Sequence, residues 1–114
     1  VGGISGFGAH TSSTAIAQNC DVENCYIYGA RTNAVTCVGG IFGYGTYATG
    51  TSCSITNCNV MKSTIRAVGS YAGGIYGNYR NSGGQPVVTD CTVTDCTIIA
   101  GSYGGGITGG YSSS

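Results

Sequence analysis

Residues 38–45 read VGGIFGYG, and residues 55–67 read ITNCNVMKSTIRA. Each stretch recurs. The first returns as VGGISGFG from Val1, AGGIYGNY from Ala72 and GGGITGGY from Gly104, at steps of 37, 34 and 32 residues. The second returns as AQNCDVENCYIYG from Ala17 and VTDCTVTDCTIIA from Val88. A period in the thirties, carried by short matches with linkers of varying length, is the signature of a stacked repeat architecture.

Aligning the copies gives columns. One contains Ile4, Ile41, Ile75 and Ile107; others contain Cys20, Cys58 and Cys91, then Val22, Val60 and Val93, then Ile27, Ile65 and Ile98. These residues are β-branched or Cys, and they recur at two-residue spacing, as in a strand with one buried face. Helical periodicity is absent. Asn19, Asn57 and Asp90 precede the Cys column, where turn-forming side chains belong. Paired glycine columns (Gly2/Gly39/Gly73/Gly105 and its successor) suit sharp bends or close backbone approach.

One repeat cannot bury so thin an apolar row by itself, and stacking turns the rows into a continuous core. The expected fold is therefore all-β, a parallel β-solenoid of about three and a half coils with Gly-rich bends and a stacked Ile/Val/Cys core. It forms a single domain over residues 1–114, with repeats at about 1–37, 38–71 and 72–103 and a partial one at 104–114. At about 4.8 Å per coil it is under about 20 Å long. A disordered chain would lack the β-branched columns, and a β-sandwich would show turns every 8–12 residues or so.

The alternation of VGGI-x-G-x-G with I-x-N-C-x-V resembles GLUG-motif repeats, over nearly the whole chain from Val1 to about Gly109. The chain differs in having Ile after the glycine pair and in its extra cysteines. The resemblance implies a secreted or cell-surface protein with a non-catalytic role, and it transfers no catalytic residue.

Seven cysteines include three C-x4-C units, Cys20–Cys25, Cys53–Cys58 and Cys91–Cys96. In the second unit Ser63 takes the downstream position and Cys53 restores the spacing upstream. That exchange makes these six cysteines candidate disulfide partners, closing loops worth roughly 2 kcal/mol each. Buried free thiols and cross-coil pairing such as Cys20 with Cys58 are the alternatives. Cys37 has no mate in the scheme and is expected to be unpaired or intermolecular.

Only 7% of the 114 residues are charged, four basic and four acidic, with zero net charge. That removes the electrostatic footprint of nucleic-acid binding and of attachment to an anionic membrane. No apolar run approaches a membrane span. The chain opens inside the repeat, so a secretion signal is expected to have been removed or to lie outside it. The low charge and the cysteine units point to an oxidising, extracellular setting.

Enzymatic chemistry has little to stand on. Asp21, Glu23, Asp90 and Asp95 fall in columns that do not concentrate carboxylates. His10 is the only histidine and has no partner motif, and the cysteine spacing makes no zinc ribbon. No catalytic residue, metal or cofactor is expected. Thr89, Thr92, Thr94 and Thr97 raise ice binding as a minor alternative, although the other two coils do not repeat the threonine row.

Two function classes remain. In one, the chain is a subunit or stalk segment of a self-assembling extracellular filament, associating end to end through uncapped coils. Four Gly–Ile rungs against three Cys–Val rungs call for a rotated, heterologous contact or for further sequence beyond the chain. In the other, it is an adhesin module binding surface glycans. Taking the Ile column as inward-facing puts Phe42 and Tyr76 outward, with Phe7 and Tyr44 two residues on.

Overall fold

The computed structural model describes residues 1–9, 14–32, 37–46, 52–80 and 86–112. Within them the chain is all strand and turn, with no helix. The first round comprises β1 (Ser5–Ala9), β2 (Thr14–Gln18), β3 (Asp21–Glu23), β4 (Tyr26–Gly29) and β5 (Cys37–Gly39). The second comprises β6 (Phe42–Thr46), β7 (Ser52–Thr56), β8 (Asn59–Met61), β9 (Thr64–Ala67) and β10 (Tyr71–Gly73). The third comprises β11 (Tyr76–Arg80), β12 (Val87–Thr89), β13 (Thr92–Thr94), β14 (Thr97–Ala100) and β15 (Tyr103–Gly105), and β16 (Thr108–Ser112) comes last.

Every pairing between these strands is parallel, and each sheet joins the corresponding strands of successive rounds. The sheets run β1-β6-β11-β16, β5-β10-β15, β2-β7-β12, β3-β8-β13 and β4-β9-β14. The register matches the sequence columns: Val22 pairs with Val60 and Val60 with Val93, while Ile27 pairs with Ile65 and Ile65 with Ile98. The shortest principal extent is 17 Å, enough for four rungs at about 4.8 Å.

Like residues stack because in-register parallel pairing lays each repeat on the previous one. Ile41, Ile55, Val60, Ile65 and Ile75 are completely buried in the middle of the stack. Each such side chain contributes roughly 1.5–3 kcal/mol of burial free energy. The outer members of the Ile column are far more open, with Ile4 48% and Ile107 41% exposed.

The corners have a local cause. Asn19, Asn24, Asn57, Lys62, Asp90 and Asp95 all adopt left-handed backbone, with φ between 50° and 55°. Each stands between two short strands and turns the chain by one residue. Asn and Asp tolerate this conformation better than other side chains, because a short polar group can bond locally. Side-chain ladders then link the rounds. Asn57 Nδ2 donates to Asn19 Oδ1 at 2.7 Å, Asn59 Nδ2 to Asp21 Oδ1 at 2.9 Å, and Thr92 Oγ1 to Asn59 Oδ1 at 2.7 Å.

Glycine lets two sheets touch through their backbones. A Cβ on Gly77 of β11 would lie 2.5 Å from the Val38 nitrogen and 2.6 Å from the Gly43 oxygen. Gly43 meets Val1 in the same way, and Gly109 meets Ala72. No side chain fits between the β1-β6-β11-β16 sheet and the β5-β10-β15 sheet at these points.

Candidate functional site

The cysteines are the first candidates, and the structure corrects their reading. All seven are free thiols. In the first and third units the C-x4-C spacing marks two successive corners rather than a bonded pair. Each corner consists of a left-handed residue followed by a small side chain that turns back on the preceding strand. Cys20 Sγ donates to the Gln18 carbonyl at 3.4 Å, and Cys25 Sγ to that of Glu23 at 3.2 Å. Cys58, Cys91 and Cys96 do the same to Thr56, Thr89 and Thr94, at 3.2–3.3 Å. Ser63 fills the equivalent place, its Oγ donating to the Met61 carbonyl at 2.8 Å.

Serine therefore does the work of cysteine at that corner, and no partner has been lost. Cys53 is not a compensating mate. It lies within β7, buried, in register with Ala15 of β2. The signal that separates a corner from a disulfide is already present in the sequence: Asn, Asp or Lys immediately precedes Cys20, Cys25, Cys58, Ser63, Cys91 and Cys96.

Cys37 is buried, so the folded chain does not offer it for an intermolecular bridge. Burial pushes its thiol up to about 11, against a smaller opposing effect from its hydrogen bond with the Asn78 side chain. A protonated, enclosed thiol is a poor nucleophile. Burial raises the Cys53 thiol to about 11 as well, and it also raises Cys58.

The aromatic surface is corrected too. Phe42 is 4% exposed and Tyr76 7%; both belong to the core cluster. Burial on the middle rungs, not an outward position, is what the structure shows for these two rings. Tyr44 is half-buried. Phe7 pairs with Tyr44 along the backbone, and its side chain lies outside the described residues, as does His10.

The exposed aromatic group is elsewhere. On the β4-β9-β14 sheet, Tyr26, Thr64 and Thr97 form one outward row, and Tyr28, Arg66 and Ile99 the next. Tyr26 is 60% exposed and Tyr28 41%. Their rings are 5.7 Å apart, tilted by 38°. The Arg66 guanidinium lies 5.3 Å from the Tyr28 ring centre. Its interaction with the Tyr26 hydroxyl, and the charge interaction with both tyrosines, raises the Arg66 pKa further above its ordinary value. No sequence motif marks Arg66, since its contact with Tyr28 depends on a register partner 38 residues away.

The carboxylates are placed apart in role. Asp21 and Glu23 point outward from β3; Asp21 accepts from Asn59, and Glu23 faces Lys62 at 3.8 Å. Asp90 and Asp95 are corner residues. Among the described residues no group of three or more His, Cys, Asp or Glu is arranged to hold a metal ion. Thr92 and Thr94 face outward on β13, above Asn59 and Met61 of β8.

The chain matches no family model, no curated protein and no solved structure. The GLUG resemblance rests on the sequence motifs alone.

Proposed function

We propose that the chain is a β-solenoid of about three and a half coils, with Gly-rich bends, serving as a non-enzymatic structural unit. In this reading it is a subunit or stalk segment of an extracellular, self-assembling filament. The observation that carries it is the contrast along the Ile column, buried in the middle and open at Ile4 and Ile107. Parallel in-register rungs leave their hydrogen-bonding edge able to accept another rung of the same kind. The proposed occupant of each outer rung is a further rung of the same kind, from a second copy of this chain or from continuing solenoid sequence. The β1-β6-β11-β16 sheet has four strands where the three corner-flanked sheets have three. Where the next rung comes from a second copy, the two would meet by a rotated, heterologous contact, the type that propagates into open fibres. The GLUG resemblance and the low charge support an extracellular setting.

Static light scattering across concentration, with electron micrographs of the same samples, tests the proposal. The expected result is mass that grows with concentration and linear particles in the micrographs. An Ile107→Lys variant, charged on the open rung, is expected to stay small while keeping its β-type circular dichroism. A wild-type particle that remains monomeric at all concentrations overturns the proposal.

A further inference from the structure

We propose that the outward face of β4 and β9, built from Tyr26, Tyr28 and Arg66, is a binding surface for an acidic polysaccharide of the uronate type. This does not rest on filament formation. Three observations carry it. Two exposed tyrosine rings stand side by side at 5.7 Å, close to the length of one pyranose, and offer apolar faces to sugar C–H groups. A guanidinium sits in the same cluster, over the Tyr28 ring at 5.3 Å from its centre, so its planar donor fork is presented at the surface beside the two rings. Such a fork matches a carboxylate in geometry and charge.

Charge complementarity selects the occupant. The outward positions of the sheet are Tyr26, Tyr28, Thr64, Arg66, Thr97 and Ile99, so its only charge is positive. The flanking carboxylates lie on other elements. Glu23 of β3 faces Lys62, and Asp95 occupies the corner before β14. A neutral glycan would use the rings and leave the guanidinium without an anion. A nucleic acid would need a run of cations that a net-neutral chain does not provide.

Affinity electrophoresis in gels containing polygalacturonate, with dextran gels as the neutral control, tests the proposal. The wild type is expected to be retarded by polygalacturonate and not by dextran. Arg66→Gln is expected to weaken the retardation by roughly ten-fold or more, the scale of one charge-assisted contact. Tyr28→Ala should weaken it too, and Arg66→Lys should recover only part, because an ammonium keeps the charge and loses the stacked fork. Both sites are exposed, and thermal melts of the three variants that match the wild type confirm folding. Equal mobility of the wild type in both gels overturns the proposal. So does retardation unchanged by Arg66→Gln, or equal retardation by dextran.

Discussion

A single dihedral angle organises the corners of this chain. At Asn57, φ is 51°, a conformation that costs an ordinary side chain about 1–2 kcal/mol. Glycine adopts it freely, so Asn57→Gly exchanges the side-chain bond to Asn19 for a relaxed backbone. Its unfolding free energy is expected to stay within about 0.5 kcal/mol of wild type. Asn57→Val keeps neither advantage, and urea denaturation should show a loss of about 2 kcal/mol. Equal loss in both variants would mean that the ladder bond, not the backbone angle, controls the corner. The same residue-level logic explains the cysteines. After each left-handed residue comes a small donor aimed at the carbonyl two positions back, and Ser63 serves as well as Cys.

Between elements, the tightest requirement is the glycine column that lets two sheets meet. Gly77→Ala would push a methyl group against the backbone of Val38 and Gly43, none of which can yield as a side chain can. The expected cost is about 1–3 kcal/mol, read as a lower urea midpoint. Gly6 stands in the same column on the outer rung, where a Cβ meets nothing within 4 Å, so Gly6→Ala should be close to neutral. This level was also where the sequence was most and least legible. The Ile, Val and Gly columns could be read directly, because parallel in-register pairing repeats a residue's surroundings each time it repeats the residue. The burial of Phe42 and Tyr76 could not, since it depends on packing against neighbours that a column of aligned residues does not reveal. The Tyr28–Arg66 contact was hidden because those two residues occupy one column without resembling each other.

For the molecule as a whole, buried thiols set an alkaline limit. The Cys37 and Cys53 thiols titrate near 11 in the fold, against 9.0 for the unperturbed group. Their raised values mean that the associated stability is complete below about pH 9 and is lost as pH climbs through about 11, because the unfolded chain releases those protons first. Melting temperature by circular dichroism is expected to fall over that window. Cys53→Ala, matching the Ala15 that stacks on it, should start lower and fall less steeply, while tyrosine ionisation affects both proteins alike. The same stack determines how the chain finds its fold. Among the described residues each paired residue meets a partner 32–38 positions away, so the first contact between rounds must close a loop of that length before any such pairing repays it. Once two rounds have met, each later one lays down against a finished template. Folding should therefore wait on a slow first closure and then advance rung by rung, much as a zip runs once its slider has been seated.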